Sequence, residues 1–172
     1  MSASGGNHAT SRFGAWAWLW LTLAVIVLDQ WTKWLITSNF VEYQSLTLLP
    51  VFDLVRLHNE GAAFSFLSNA SGWQRWMFTA LGIGVSAGLL VWLKRLPARG
   101  QNLLAAALAL IMGGALGNVI DRILLGHVID FIHVHYQQWY FPAFNVADSS
   151  ITVGAALLIL DSVLSGRRVA AN

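Results

Sequence analysis

The stretch LLAAALALIMGGALGNVI, residues 103–120, contains no charged residue. A helix needs about 20 mostly apolar residues to cross the hydrocarbon core of a bilayer, and this stretch is close to that length. Asp121 and Arg122 follow it directly. The stretch therefore predicts a transmembrane helix that ends in ionisable residues.

The composition of the whole chain agrees with a membrane protein. Of its 172 residues, 56% are hydrophobic and only 10% are charged, whereas soluble domains carry about a quarter charged residues. We expect one integral membrane domain over residues 1–172, with a disordered tail at 1–11. The net charge of +2 is too small to indicate nucleic-acid binding. The absence of cysteine excludes disulfides, a thiol nucleophile and a cysteine-bound metal.

Three further apolar stretches lie at residues 13–36, 76–93 and about 145–164. The first is interrupted by Asp29 and Lys33, and its apolar run is too long for a cleaved signal sequence, so we interpret it as a retained span. The fold class predicted from the sequence is therefore a helical membrane protein with four spans.

The basic residues predict the orientation of these spans. They occur before the first span, between the second and third, and after the fourth, without acidic neighbours: Arg12, Lys94, Arg95, Arg99, Arg167 and Arg168. By the positive-inside rule, both termini are then cytoplasmic, and the connections 38–71 and 123–144 face outward.

This orientation collects the polar residues of the spans in one layer. Asp29 lies about 16 residues, or roughly 24 Å, above the start of the first helix. Asn118 and Asp121 end the rising third span, and Asp148 begins the descending fourth span. Ionisable residues inside a membrane usually mark a functional site. We therefore expect a site at the outer leaflet.

The outer connections also have structure. Residues 40–58 are rich in Val, Leu, Phe, Tyr and Thr around Pro50, which predicts short β-strands. Gly61, in NEGAAF (59–64), suits a tight turn or a close backbone approach. The segment 127–144 carries aromatic residues typical of a membrane interface, namely Trp139, Tyr140, Phe141 and Phe144.

Asp130 and Asp148 are the candidate catalytic residues. Asp130 has only apolar neighbours in VIDFI (128–132), which indicates burial, and Asp148 opens an apolar span. Two carboxylates that meet share one proton and can activate water. A helix-capping role for Asp148 is the simpler alternative.

Other polar residues have structural alternatives as well. Asp29 and Lys33 could form only a local i,i+4 ion pair, or line a site, or both. Asp121 and Arg122 could simply terminate the third span, and Asn145 could be only a helix cap. Three glycines, at 113, 114 and 117, favour close helix packing over ligand contact.

A metal site is not predicted, because His133 and His135 have no third ligand nearby in the sequence.

Five stretches together resemble one known family. They are DQWTK (29–33), NEGAAF (59–64), GALGNVIDR (114–122), VIDF (128–131) and FNVAD (144–148). In this order they are similar to the lipoprotein signal peptidases (signal peptidase II), aspartic peptidases of the bacterial inner membrane. The resemblance covers residues 29–148, most of the chain.

The resemblance implies a fold and a function. The family has four transmembrane helices, a small extracytoplasmic β-sheet cradle and an interfacial helix. It removes the signal peptide from diacylglyceryl-modified prolipoproteins just before the lipidated cysteine, needs no cofactor, and binds the antibiotic globomycin. We expect membrane lipid as a further partner, and we expect the protein to be a monomer.

The resemblance also implies site residues. Asp130 and Asp148 match the catalytic pair of the family. The residues that line the site or support it match Asp29, Lys33, Asn59, Gly61, Asn118, Arg122 and Asn145.

Two other functions remain open at this point. A small proton-coupled transporter or channel subunit would also carry membrane carboxylates, but it predicts ionisable residues through the whole depth of the bilayer. A structural or assembly subunit would tolerate Asp→Asn changes at either candidate catalytic position. The single polar layer favours the peptidase.

Overall fold

The computed structural model of the chain describes residues 14–61, 72–97 and 100–170. Four long helices are α1 (Leu19–Asn39), α2 (Trp73–Arg95), α3 (Asn102–Leu124) and α4 (Val146–Ala170), and a short 3-10 helix (Gly14–Trp18) precedes α1. All four are long and apolar enough to cross a membrane, which confirms the four predicted spans. The predicted tail at 1–11, together with Arg12 and Arg99, lies outside the described residues.

Helix α3 is the centre of the bundle and packs against α1, α2 and α4. Its glycines allow these contacts. A Cβ at Gly113 would lie 2.8 Å from Cβ of Val25 on α1, and one at Gly114 would collide with the backbone oxygen of Ala147 on α4. The packing role predicted for these glycines is confirmed.

The two longer connections form one antiparallel sheet. Its strands are β1 (Ser45–Leu49), β2 (Phe52–Asn59), β3 (Val128–Tyr136) and β4 (Trp139–Tyr140), and they lie in the order β1-β2-β3-β4. The strands predicted within residues 40–58 are confirmed. The connection 123–144, for which the residues themselves indicated only an aromatic interface, supplies the other two strands.

The pairing of β2 with β3 positions Asp130. Leu54 pairs with Ile132 and Leu57 pairs with Asp130, so the register shifts between them. Such irregularities commonly re-aim a side chain next to a functional site. Ile129 and Phe131 pack with Ile36 of α1, and because side chains alternate along a strand, Asp130 points to the opposite face.

The interfacial helix implied by the resemblance matches no element within residues 14–61, 72–97 and 100–170. It stays a prediction.

Candidate active site

Asp130 and Asp148 are linked through one buried amide, Asn145. The Nδ2 group of Asn145 donates to Oδ1 of Asp130 at 2.8 Å, and its Oδ1 accepts from the backbone N–H of Asp148 at 2.9 Å. Asp130 is buried and Asn145 is fully buried. The structure therefore brings the two predicted catalytic residues into one hydrogen-bonded unit, Asp130 from β3 and Asp148 from the start of α4.

Asn145 and Asp148 also form a reciprocal cap on α4. While Asn145 accepts from the N–H of Asp148, Oδ2 of Asp148 accepts from the N–H of Asn145 at 3.3 Å. This is the geometry of a capping box, in which the cap residue and the third helical residue satisfy each other's free N–H groups. The capping alternative and the site prediction are thus compatible.

Two further amides orient the carboxylates. Asn118 of α3 donates from Nδ2 to Oδ1 of Asp148 at 2.7 Å. Asn59, at the end of β2, donates from Nδ2 to Oδ2 of Asp130 at 2.9 Å, while its Oδ1 accepts from the N–H of Gly61 at 2.8 Å. Each carboxylate therefore has a donor from a different element, which fixes its direction.

Gly61 has a backbone conformation that favours glycine. Its φ is +106°, and an added Cβ would lie 2.6 Å from Cε2 of Phe78 on α2. The predicted close approach at this glycine is confirmed, and it holds Asn59 in place for Asp130.

Lys33 connects α1 to the site. Its Nζ lies 2.8 Å from Oδ2 of Asp29 and 2.8 Å from Oδ2 of Asp121, and it donates to Oδ1 of Asn118 at 3.0 Å. Oδ1 of Asp29 in turn accepts from the N–H of Ala147 at 2.9 Å. Asp29 and Lys33 are therefore a local ion pair and a part of the site at once. Lys33 fixes the amide of Asn118 so that its Nδ2 faces Asp148.

Asp121 and Gln30 were missed as site residues by the sequence analysis. Asp121 is buried, and beside its ion pair with Lys33 it accepts from Nε2 of Gln30 at 2.8 Å and from the N–H of Ile129 at 3.1 Å. It ties α3 to β3 next to Asp130. The available signal was that Gln30 lies inside DQWTK (29–33) and Asp121 inside GALGNVIDR (114–122).

Arg122 lies at the end of α3 and faces the site. Its Nη1 donates to the oxygen of Asn118 at 3.2 Å, and the guanidinium lies 5.3 Å from the ring centre of Phe78. It is attracted by the charges of Asp148, Asp130 and Asp121. Its Nε is buried and has no partner among the described residues. Arg122 thus brings positive charge and a spare donor to the carboxylates.

The surroundings of Asp130 favour its protonated form. Burial, and secondly the charge of Asp148, raise the pKa of Asp130 from 3.8 to about 7, against the opposing effect of hydrogen bonds from Asn59 and Asn145. A carboxyl group that keeps its proton near neutral pH can act as a general acid.

Among the described residues, no group of three or more His, Asp or Glu side chains could hold a metal ion. His133 and His135 instead both stack on Tyr140, with ring centres 5.4 and 5.2 Å away.

Two solved structures share the fold. Both are described as bacterial membrane enzymes. One has a TM-score of 0.74 and 31% identity, over 87% of this chain and 88% of its own. The other has a TM-score of 0.72 and 32% identity, over 84% and 90%. The chain thus shares the fold of bacterial membrane enzymes.

The sequence comparisons give the family. The model described as "Signal peptidase (SPase) II" matches residues 21–164. The chain is 56% identical to the lipoprotein signal peptidase of Pseudomonas fluorescens (strain Pf0-1) over 90% of this chain and 91% of the relative. For the lipoprotein signal peptidase of Pseudomonas aeruginosa (strain PAO1) the identity is 57%, over 87% and 89%. The chain belongs to the signal peptidase II family, and is an aspartic peptidase of the bacterial inner membrane.

Proposed function

We propose that this chain removes the signal peptide from diacylglyceryl-modified prolipoproteins by means of water activated between Asp130 and Asp148. The observation that carries the proposal is the hydrogen-bonded unit of Asp130, Asn145 and Asp148, which Asn118 and Asn59 complete. The family, and the relatives named as lipoprotein signal peptidases, support the substrate class.

In this mechanism the two carboxylates have different protonation states. Asp130, with its pKa raised to about 7 mainly by burial, carries the shared proton, and Asp148 is the base. Asp148 takes a proton from water while Asp130 donates its proton to the oxygen of the scissile carbonyl. The hydroxide adds to the carbonyl carbon to give a tetrahedral gem-diol. Its C–N bond then breaks as the proton on Asp148 passes to the leaving nitrogen and one hydroxyl proton returns to Asp130.

The remaining side chains hold and stabilise this reaction centre. Asn145 and Asn118 keep the carboxylates in fixed directions, so little reorganisation is needed in the transition state. The guanidinium of Arg122 and its unpartnered Nε are suited to a backbone carbonyl of the substrate or to charge that develops on it.

The membrane explains the position of the site. The basic residues predict cytoplasmic termini, and with them the sheet and the two aspartates belong at the outer leaflet. A substrate whose acyl chains stay in the lipid can then reach the site laterally. The same site is where we expect globomycin to bind, and we expect the protein to act as a monomer.

The test measures cleavage by purified enzyme in detergent with prolipoprotein that carries or lacks the diacylglyceryl group. Asp130→Asn and Asp148→Asn are each expected to lower the rate by about 10²–10⁴-fold, because each removes one proton-transfer group. Asp161→Asn, on α4 with Asp148, is the matched control and keeps the rate of the wild type. Only the lipidated substrate should be cut.

Cleavage that survives in a folded Asn variant removes that aspartate from the mechanism. If the folded wild type cuts no lipidated prolipoprotein, the transporter and assembly alternatives return. Folding is checked for each variant by circular dichroism and size exclusion.

A further inference from the structure

A second cavity lies on the face of β3 opposite to Asp130. Its volume is about 340 Å³, and it is bounded by α1, β2, the end of α3 and the start of β3. Ile129 is part of its wall, whereas its neighbour Asp130 faces Asn59 and Asn145. The cavity is therefore separate from the candidate active site, although Lys33 and Asp121 lie between the two.

Arg56 of β2 presents one free edge in this cavity. Its Nη1 donates to the oxygen of Phe40 at 2.7 Å and to that of Thr37 at 3.3 Å, which caps the end of α1. The opposite edge, formed by Nε and Nη2, has no acceptor among the described residues, and Nε is buried. This edge is the one that binds two oxygens of a phosphate or carboxylate group at once.

The other charges near the cavity are already paired. Lys33 lies 2.8 Å from both Asp29 and Asp121, and Glu42 accepts from Nδ1 of His58 at 3.0 Å. Arg56 has no carboxylate partner within the described parts of the chain, which makes it the cation available to an anionic ligand.

Two stacked histidines stand beside Arg56. The rings of His58 and His127 are 3.9 Å apart, and both line the cavity. Because Nδ1 of His58 faces Glu42, Nε2 is left, and it is buried and without a partner among the described residues. When both ring nitrogens carry hydrogens, Nε2 can donate to an anion in the cavity.

The rim of the cavity is apolar and exposed. Trp34 is 61% exposed, Leu124 is 73% exposed and Leu125 is 50% exposed, and all three lie at the sheet end of spanning helices or just beyond it. Tryptophan at such a position is typical of the headgroup level of a bilayer. The cavity thus combines an anion-binding wall with an entrance suited to acyl chains.

We propose that this cavity binds the phosphate headgroup of a membrane phospholipid. The free edge of Arg56 binds the phosphate oxygens, and the acyl chains lie along Trp34 and Leu124. The diacylglyceryl group of a prolipoprotein has no phosphate, so the bound lipid is distinct from the substrate. The proposal does not depend on the peptidase mechanism.

The test is native mass spectrometry of the full chain released from detergent, titrated with phosphatidylglycerol, with diacylglycerol of the same acyl chains, and with inorganic phosphate. The variants are Arg56→Gln and Arg56→Lys, and the matched control is Arg75→Gln. Arg75 donates from Nη2 to the oxygen of Ile123 at 2.8 Å, lies over Trp76 and is not part of this cavity. It controls for a general loss of positive charge on the protein.

Phosphatidylglycerol is expected to bind wild type and Arg75→Gln alike, and both Arg56 variants about tenfold more weakly or worse, since a bidentate charge-assisted contact is lost. Arg56→Lys keeps the charge, and its amine can still donate to the oxygen of Phe40, so it separates loss of the two-pronged contact from loss of the α1 cap. Folding is checked by circular dichroism, and cleavage activity is measured in parallel.

Four results would overturn the proposal. If diacylglycerol is retained as well as phosphatidylglycerol, the phosphate group does not contribute to binding. If inorganic phosphate binds as tightly as the phospholipid, the cavity is a site for free phosphate and not for a lipid headgroup. If folded Arg56→Lys and Arg56→Gln bind phospholipid as the wild type does, Arg56 is not the phosphate ligand. If the wild type retains no phosphatidylglycerol, the cavity does not bind this lipid.

Discussion

Helices α2 and α3 each contain 23 residues, and both have a long apolar stretch without charge, yet they occupy different environments. In its most apolar window, 56% of α3 is buried inside the protein, against 17% of α2. Helix α3 touches all three other spans, whereas α2 packs on α3 alone among them. The position in the bundle, and not composition, separates the helix that builds the site from the one that faces lipid.

The same contrast holds for individual residues. Both helices have buried polar side chains, among them Ser86 in the middle of α2 and Asn118 near the C-terminal end of α3. The hydroxyl of Ser86 has no partner among the described residues, whereas the amide of Asn118 bonds Lys33, Asn145 and Asp148. The comparison therefore predicts unequal effects of similar changes.

The largest expected effect is at Asn118. Asn118→Leu keeps the approximate volume but removes the donor to Asp148 and the acceptor for Lys33, so kcat/KM should fall about 100-fold. Ser86→Ala removes a polar group that satisfies nothing and should leave kcat/KM unchanged. Cleavage of lipidated prolipoprotein by both variants is the measurement. Equal losses in the two would contradict a site built on α3.

The glycines provide the next contrast. A Cβ at Gly114 of α3 would meet the backbone of Ala147 on α4, whereas one at Gly84 of α2 would meet nothing within 4 Å. Gly114→Ala should destabilise the fold by about 1–3 kcal/mol through overpacking. Gly84→Ala should stabilise it by up to about 1 kcal/mol, because glycine is a poor helix former. Thermal unfolding followed by tryptophan fluorescence measures both, and a stable Gly114→Ala would break the comparison.

The value of kcat/KM should depend on pH through the protonation of Asp130. Burial and Asp148 raise the pKa of Asp130 to about 7, so below that pH it is protonated and can act as an acid, and above it kcat/KM should fall about tenfold per pH unit. Asn59→Ala removes a hydrogen bond that favours the ionised form, and should move this limb to higher pH. A pH profile of both enzymes tests this, and a limb that does not move would exclude Asp130 as its origin.

The smallest expected effect is at Asp121. Asp121→Asn keeps one acceptor oxygen, which can serve Gln30, but its NH2 group then faces Lys33 and the N–H of Ile129 and cannot accept from either donor. We expect kcat to fall about tenfold at most with KM unchanged, since Asp121 positions other residues and does not contact substrate. Steady-state kinetics separate the two constants. A change in KM alone would assign Asp121 to substrate binding.

Much of the fold follows from local pattern, which explains what the sequence could predict. Four uncharged or nearly uncharged stretches are long enough to span a bilayer, and the strands over residues 40–58 follow from β-favouring residues. The nine predicted site residues come together in the structure. The polar layer at one end of the bundle could be predicted from the depths of the polar residues in the spans. Their catalytic and binding roles stay predictions.

The features that could not be predicted depend on contacts between residues that lie far apart in the sequence. Asp121 at the end of a span fits a lipid interface, and its site role depends on Gln30, which lies 91 residues away in the chain. VIDFI is apolar on both faces of β3, so its period does not distinguish a strand from a buried helix. The free edge of Arg56 likewise depends on which carbonyls of α1 its other edge reaches.

The reciprocal cap between Asn145 and Asp148 has a consequence for biosynthesis. The proposed catalytic pair is complete only when the last span begins to form its helix, and the residues that start this helix leave the ribosome after all the other candidate site residues. A nascent chain that has already inserted three spans still lacks one carboxylate and the amide that links both. The protein therefore stays inert during its own translation, and it becomes able to cut neighbouring signal peptides only once its final segment has entered the membrane.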